Sequence, residues 1–252
     1  MRIGAQFFTL REFCQTPEGI AESLKKVADI GYRYVQISGT CPYDPAWLKE
    51  QLDQNGLTCV LTHIPQDRLI ADAAAVARDH DVFGCDHVGL GMFTFANEDG
   101  KRLSDFMNTF APVARALKEN GKYFMYHNHA QEFAKENGAL IMEQLAQLMP
   151  ADEMGFTLDT FWVQAGGGDP AWWLEHLKGR VPCIHLKDYA FEDNDRKMAP
   201  IGEGNINFER VFEKAEVAGT QYMLVEQDKC YDEDPFDCLK RSYQFLKANG
   251  FN

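Results

Sequence analysis

Short apolar runs alternate with longer stretches of helical periodicity along the whole chain. The runs are RIGAQFF, YVQIS, TCVLTHI, HVGLGM, YFMYHNH, GFTLDTF, CIHLKD and YMLVEQD, eight in all. Between them lie amphipathic segments. In EGIAESLKKVADIG the apolar residues Ile20, Leu24, Val27 and Ile30 fall at helical spacing, LSDFMNTFAPVARALKENG ends on a glycine suited to a helix C-cap, and PAWLKEQLDQNG opens on proline and closes on Asn-Gly. Strand and helix in strict alternation imply parallel strands, because each crossover must return the chain to the same edge. Eight repeats without a linker or a break in composition predict a single (β/α)8 TIM barrel of the α/β class, with residues 1–252 as one domain. The competing doubly wound sheet would carry a glycine fingerprint after the first strand, and neither G-x-G-x-x-G nor a P-loop occurs there.

Length and composition agree with one large globular domain: 252 residues, 45% hydrophobic and 25% charged. The formal net charge of -13 repels phosphate backbones, and no basic patch offsets it. The expected partners are therefore a small-molecule substrate or another protein, with no nucleic acid and no membrane, and the chain is open to forming a homo-oligomer. The seven cysteines are odd in number and scattered, so they read as reduced thiols. With no signal-peptide pattern at MRIGAQFFTL and no long apolar span, the expected location is the cytoplasm.

In a barrel of this kind the active site forms where the strands end, so the polar residues that close the apolar runs are the candidates. They are Gln6 and Thr9, Gln36, His63, His127 and His129, Asp159, His185 with Lys187 and Asp188, and Glu226 with Asp228. The first four strands supply mainly uncharged groups. The last four supply carboxylates and imidazoles, a nitrogen and oxygen donor set that suits Mn²⁺, Co²⁺, Zn²⁺ or Mg²⁺ with positions left for substrate. His127 and His129 sit at i and i+2 of an extended segment, so both rings can face one cavity.

From YHNH onward the chain resembles the sugar phosphate isomerase/epimerase family, the xylose isomerase-like barrels that include inosose dehydratases and ketose epimerases. The likeness is carried by TLDTFWVQAGGGDPAWWLEHLKGRVPCIHLKDY and PIGEGNINFERVFEKAEVAGTQYMLVEQD. It implies one divalent metal ion, Mn²⁺ foremost, held by Asp159 of LDTF, His185 of HLKD, Glu226 of VEQD and His127 at the place of the family's first glutamate. The chemistry it implies is proton abstraction next to a carbonyl of a keto-sugar or related polyol, giving a metal-bound enediolate. Glu226 would be the base, with Lys187 and His129 stabilising the oxyanion or protonating a leaving oxygen.

Two departures bear on the outcome. Imidazole stands where a second glutamate would face Glu226, and Trp162 follows LDTF where some epimerases have histidine. Isomerisation or epimerisation is therefore set beside a dehydratase or lyase reaction on an inosose or keto-glycoside. A catalytically inactive sugar-binding or partner subunit is the reading of another class, and a related DNA-repair endonuclease is disfavoured by the acidic charge. His63, Trp162, Glu132, Arg68 and Gln6 are expected to contact substrate, and Trp172 and Trp173 to pack a helix or a subunit contact.

Overall fold

In the computed structural model, which describes residues 1–95 and 102–252, the eight apolar runs are eight strands of a closed parallel barrel. They are β1 (Arg2–Gln6), β2 (Tyr34–Ile37), β3 (Thr58–His63), β4 (His87–Leu90), β5 (Tyr123–His127), β6 (Met154–Asp159), β7 (Cys183–Leu186) and β8 (Tyr222–Val225). Each pairs with its sequence neighbours, and β8 closes on β1. The expected (β/α)8 barrel is thus the observed fold. Ten α-helices cover it among the described residues, including α1 (Pro17–Ile30), α2 (Pro45–Gln54), α3 (Gln66–Ala71), α4 (Ala73–Phe83), α5 (Arg102–Glu119), α6 (Ile141–Leu148), α7 (Thr160–Ala165) and α8 (Pro170–His176). None is long and apolar enough to cross a membrane.

The helices begin where the sequence offers a short polar acceptor. Thr16 caps α1 by accepting from Gly19 N at 3.1 Å with Pro17 next in line, and Asp44 and Asp169 cap α2 and α8 in the same way. Each such cap contributes about 1 kcal/mol by satisfying amides that the first helical turn leaves without a partner. Trp173 is buried, whereas Trp172 is exposed and stacks on His176.

The two-residue period of a strand sorts side chains into two layers. Phe124 and Tyr126, Phe156 and Leu158, Ile184 and Leu186, and Met223 and Val225 all point outward into the main core beneath the helices. Their inward neighbours Leu61, Met125, Cys183 and Leu224 fill the barrel interior as a plug. One step further along the same inward rows come His127, Asp159, His185 and Glu226. Register completes the alignment, since Asp159 is directly paired with His185 and Leu224 with His185 across the β8 side. Gly4 lets the plug close, because a Cβ there would meet Leu224 Cδ2 at 2.6 Å.

His80 of α4 shows how the shell handles a buried imidazole. Its Nδ1 donates to Val76 O at 2.7 Å and its Nε2 faces Thr62 Oγ1 at 2.8 Å, which satisfies the neutral ring fully. Burial, with Lys122 and Arg68 nearby, pushes its pKa down from 6.5 to about 4. The unfolded chain therefore binds a proton that the folded one refuses, so this contribution is complete above pH 6.5 and is lost as pH falls towards 4. Going from pH 7 to pH 5, His80 should cost the wild type about 2 kcal/mol of stability. Urea unfolding of His80→Gln at both pH values should show a correspondingly smaller loss. Equal losses in the two proteins would mean that His80 is not held neutral.

Candidate metal centre and active site

The HNH segment that closes β5 divides its work among three residues. His127 points into the barrel, and its Nδ1 donates to Gly91 O at 2.8 Å, which leaves Nε2 carrying the lone pair. Asn128 turns away and accepts from the Asp159 backbone N–H at 3.0 Å, locking the ends of β5 and β6 together. His129 returns to the cavity with its ring 4.6 Å from that of His127. Its backbone N–H donates to Glu132 Oε2 at 2.8 Å.

Asp159 ends β6 and serves four neighbours at once. Its Oδ1 caps α7 by accepting from Trp162 N at 2.9 Å, while its Oδ2 faces His127 Nε2 at 3.2 Å, His185 Nδ1 at 3.7 Å and Lys187 Nζ at 3.0 Å. His185 is fixed from behind, since its Nε2 meets Gln36 Oε1 at 2.7 Å and must donate to it. That leaves Nδ1 facing Glu226 Oε2 at 2.8 Å. On the far side, Gln6 Oε1 accepts from Phe8 N, so Gln6 Nε2 is free to donate to Glu226 Oε1 at 2.7 Å.

The four groups offer ligand atoms that all lie within 4.8 Å of one another, in fully buried surroundings. His127 and His185 each commit one ring nitrogen to an oxygen behind them and turn the other towards the two carboxylates, where it can serve as a ligand. The N₂O₂ donor set with back-bonded histidines is the arrangement divalent ions use. The residues present therefore fit the metal expected from the sequence.

The same groups, with Lys187, set one another's charge. Burial alone would raise the carboxyl pKa values of Asp159 and Glu226, but the Lys187 ammonium, with His127 beside Asp159 and His185 beside Glu226, holds both well below the usual range. Burial would likewise lower His185, yet Glu226 and Asp159 hold it above its ordinary value. Lys187 is fully enclosed, against burial's downward pull, by Asp159, Glu226 at 2.9 Å and Asp228 at 2.8 Å, which keep it cationic. Asp228 moves the other way, its carboxyl raised by burial and by the Glu226 charge. Burial, reinforced by His127, takes His129 down to about 3, and His63 also falls well below its ordinary value, so both are neutral imidazoles near pH 7.

A cavity of about 430 Å³ opens above these groups and is lined by Phe8, Ser38, His63, Met92, His127, His129, Lys187, Glu226 and Asp228, among others. The structure thus brings His63 and His129 to the wall together with Lys187 and Glu226. It does not bring Gln6 or Glu132 there. Gln6 is buried behind Glu226, and both oxygens of Glu132 are taken, one by Tyr126 Oη and the other by His129 N, so it positions the His129 loop rather than reaching a substrate. Trp162 stands behind the wall, its ring tilted against that of His129 at 5.2 Å and under Lys187 Nζ at 5.6 Å. Arg68 pairs with Asp79 and lines a neighbouring cavity. Asp188 is a strut: its oxygens accept from Gly202, Gly204 and Ile206 and pin the loop after the hairpin Asp188–Glu192/Asp195–Ala199.

Sequence reasoning gave no role to Gly89 and Gly91. A Cβ at Gly89 would lie 2.3 Å from Thr62 O, and one at Gly91 2.9 Å from His63 Nδ1, so the alternating glycines of HVGLGM make room for His63 and expose the carbonyl that orients His127. That alternation was the available signal.

Known proteins share this architecture. Inosose dehydratase of Lacticaseibacillus casei is 22% identical, the match covering 90% of this chain and 88% of that one. A sugar phosphate isomerase/epimerase from Parabacteroides distasonis superposes with a TM-score of 0.82 at 20% identity, covering 99% of this chain and 94% of that one. The structure of L-ribulose 3-epimerase superposes at 0.74 with 16% identity, covering 98% and 93%. The family model described as xylose isomerase-like TIM barrel matches residues 24–248, nearly the full barrel, and the chain belongs to that family.

Proposed function

We propose that the protein is a divalent-metal-dependent enzyme that abstracts a proton next to the carbonyl of a keto-sugar or related polyol. The observation that carries this reading is the convergence of His127, Asp159, His185 and Glu226, with Lys187 among them, where His127, Lys187 and Glu226 open onto a sugar-sized cavity. Bound there by those four residues, the ion would polarise the substrate carbonyl and acidify the neighbouring C–H. Glu226 takes the proton. Gln6 and His185 fix its two oxygens, and Lys187 keeps it ionised until the transfer. Lys187 does not release its own proton, surrounded as it is by three carboxylates, and acts through its charge on the oxygen that becomes negative. Asp228 touches the same ammonium and lines the cavity, where its carboxylate can accept a hydrogen bond from a substrate hydroxyl.

After enolisation, isomerisation, epimerisation and elimination diverge. One asymmetry favours elimination as a second reading: the carboxylates of the wall, Glu226 and Asp228, stand together around Lys187, while the imidazoles His63, His127 and His129 supply the rest of its titratable groups. An epimerase needs a base for each face. Following solvent deuterium incorporation by NMR, with Mn²⁺-loaded protein and a panel of ketoses and inososes, tests both readings. Exchange at the carbon beside the carbonyl is expected, and water loss would identify elimination. No exchange with any member of the panel would refute an enolising enzyme for these substrate classes.

A further inference from the structure

Beside the catalytic cavity lies a second one, of about 460 Å³, that shares its wall at Ser38, Gly39, His63, Ile64 and Pro65. The two meet at His63, whose ring lies 5.3 Å from that of His127 and 5.6 Å from that of His185. His63 Nδ1 meets Ser38 Oγ at 3.1 Å, and its Nε2 is enclosed without a hydrogen-bond partner among the described residues. A buried ring nitrogen left without a partner is unfavourable, and a ligand hydroxyl or ether oxygen at the seam would supply one. A single sugar ring on the catalytic floor does not fill the neighbouring cavity.

The neighbouring cavity suits an uncharged occupant. Among the described residues lining the two cavities, the lysine and arginine side chains are Lys187 and Arg68, and both are already paired, Lys187 with three carboxylates and Arg68 with Asp79. The Thr40 hydroxyl is turned back onto Cys41 O at 3.0 Å, and burial keeps the Tyr43 phenol protonated. What remains is a set of flat or apolar surfaces, Pro42, Tyr43, Ile64 and Pro65, of the kind on which a pyranose face packs. A phosphate would find glutamate and aspartate on one side and a committed ion pair on the other.

We infer that this cavity is a second subsite for an uncharged glycosyl group, and that the substrate is an unphosphorylated keto-glycoside spanning both cavities across His63. This rests on the enolising reading above for the ring that reacts, but the second subsite is tested by binding alone. Calorimetric titration of the Mn²⁺-loaded protein with lactulose, D-fructose and D-fructose 6-phosphate should show lactulose binding more tightly than D-fructose by about tenfold or more, and the phosphate ester binding no better than D-fructose. Thr40→Trp and Cys41→Trp, two independent ways of filling the subsite, should each collapse the ratio of lactulose to D-fructose affinity to near one. Tighter binding of D-fructose 6-phosphate than of lactulose, or an unchanged ratio in both folded variants, would overturn the inference. Subsite-dependent lactulose binding without deuterium exchange would support the second subsite while refuting the enolising reading. Exchange into D-fructose with an unchanged ratio would do the reverse.

Discussion

Asp159→Asn is expected to weaken divalent-metal binding by more than about 100-fold, beyond what loss of an outer-shell partner usually costs, while leaving the barrel folded. Oδ2 of Asp159 is the point on which His127 Nε2 at 3.2 Å, His185 Nδ1 at 3.7 Å and Lys187 Nζ at 3.0 Å converge. Replacing that oxygen with an amide NH₂ removes an anionic donor from the set of four. Asparagine is chosen over alanine because its remaining oxygen can still cap α7 through Trp162 N, a bond of 2.9 Å whose loss would cost about 1 kcal/mol and confuse the result. Lys187 keeps Glu226 and Asp228 as partners, so no buried charge is stranded. Asp228→Asn is the control. It removes an equal charge from the same wall but not one of the four converging groups, and its effect should stay below about tenfold, as for a charge acting at a distance through partly screened surroundings. Metal content after dialysis and a Mn²⁺ titration measure both variants. Wild-type affinity in Asp159→Asn would overturn the ligand assignment. Equal losses in the two variants would show that the cavity attracts cations by charge alone.

The placement of these groups was legible because the physics of a parallel barrel leaves little freedom. Inward and outward positions alternate along a strand, so Met125 and His127 must share a face, as must Leu224 and Glu226. The strand ends at which polar residues replace apolar ones must then face one mouth. What the sequence hid were partnerships set by register and by loops. Gln6 looks like a substrate contact and Gln36 is another polar strand end, but Glu226 comes against Gln6 from the adjoining strand and His185 against Gln36 from across the barrel, and the two carboxamides become holders of those side chains. Glu132 sits five residues beyond His127, and only the short turn at Gln131–Phe133 brings it beneath His129 and against Tyr126. Arg68 looks like a substrate contact in the sequence, but Asp79 reaches it from the next helix. Hydrophobic periodicity carries none of this, since each pairing depends on how far two separate segments are brought together. Asp228 shows the same gap: its position at a strand end was visible, but not the contact with Lys187 that gives it a function.

Glu226→Gln separates binding from proton transfer. The substitution keeps the length of the side chain and an oxygen that can still accept from Gln6 Nε2, which donates at 2.7 Å in the parent protein. At the second position an NH₂ replaces the oxygen that lies 2.8 Å from His185 Nδ1 and 2.9 Å from Lys187 Nζ. Lys187 falls back on Asp159 at 3.0 Å and Asp228 at 2.8 Å, so the floor of the cavity keeps its shape. Metal affinity should drop, because a neutral amide oxygen replaces a carboxylate, and saturating metal should restore substrate binding. Turnover and solvent deuterium exchange should both fall by about 10²–10⁴-fold, the usual contribution of a general base and roughly 3–5 kcal/mol of barrier. Exchange at the wild-type rate under saturating metal would place the base elsewhere. Asp228 is then the next residue to replace, since its carboxylate lines the same cavity beside Lys187. If exchange survives while product formation stops, Glu226 acts only after the C–H bond has broken. Its proton would then go to a leaving hydroxyl or to the second carbon, and the choice between elimination and isomerisation would rest on this residue rather than on the imidazoles opposite it.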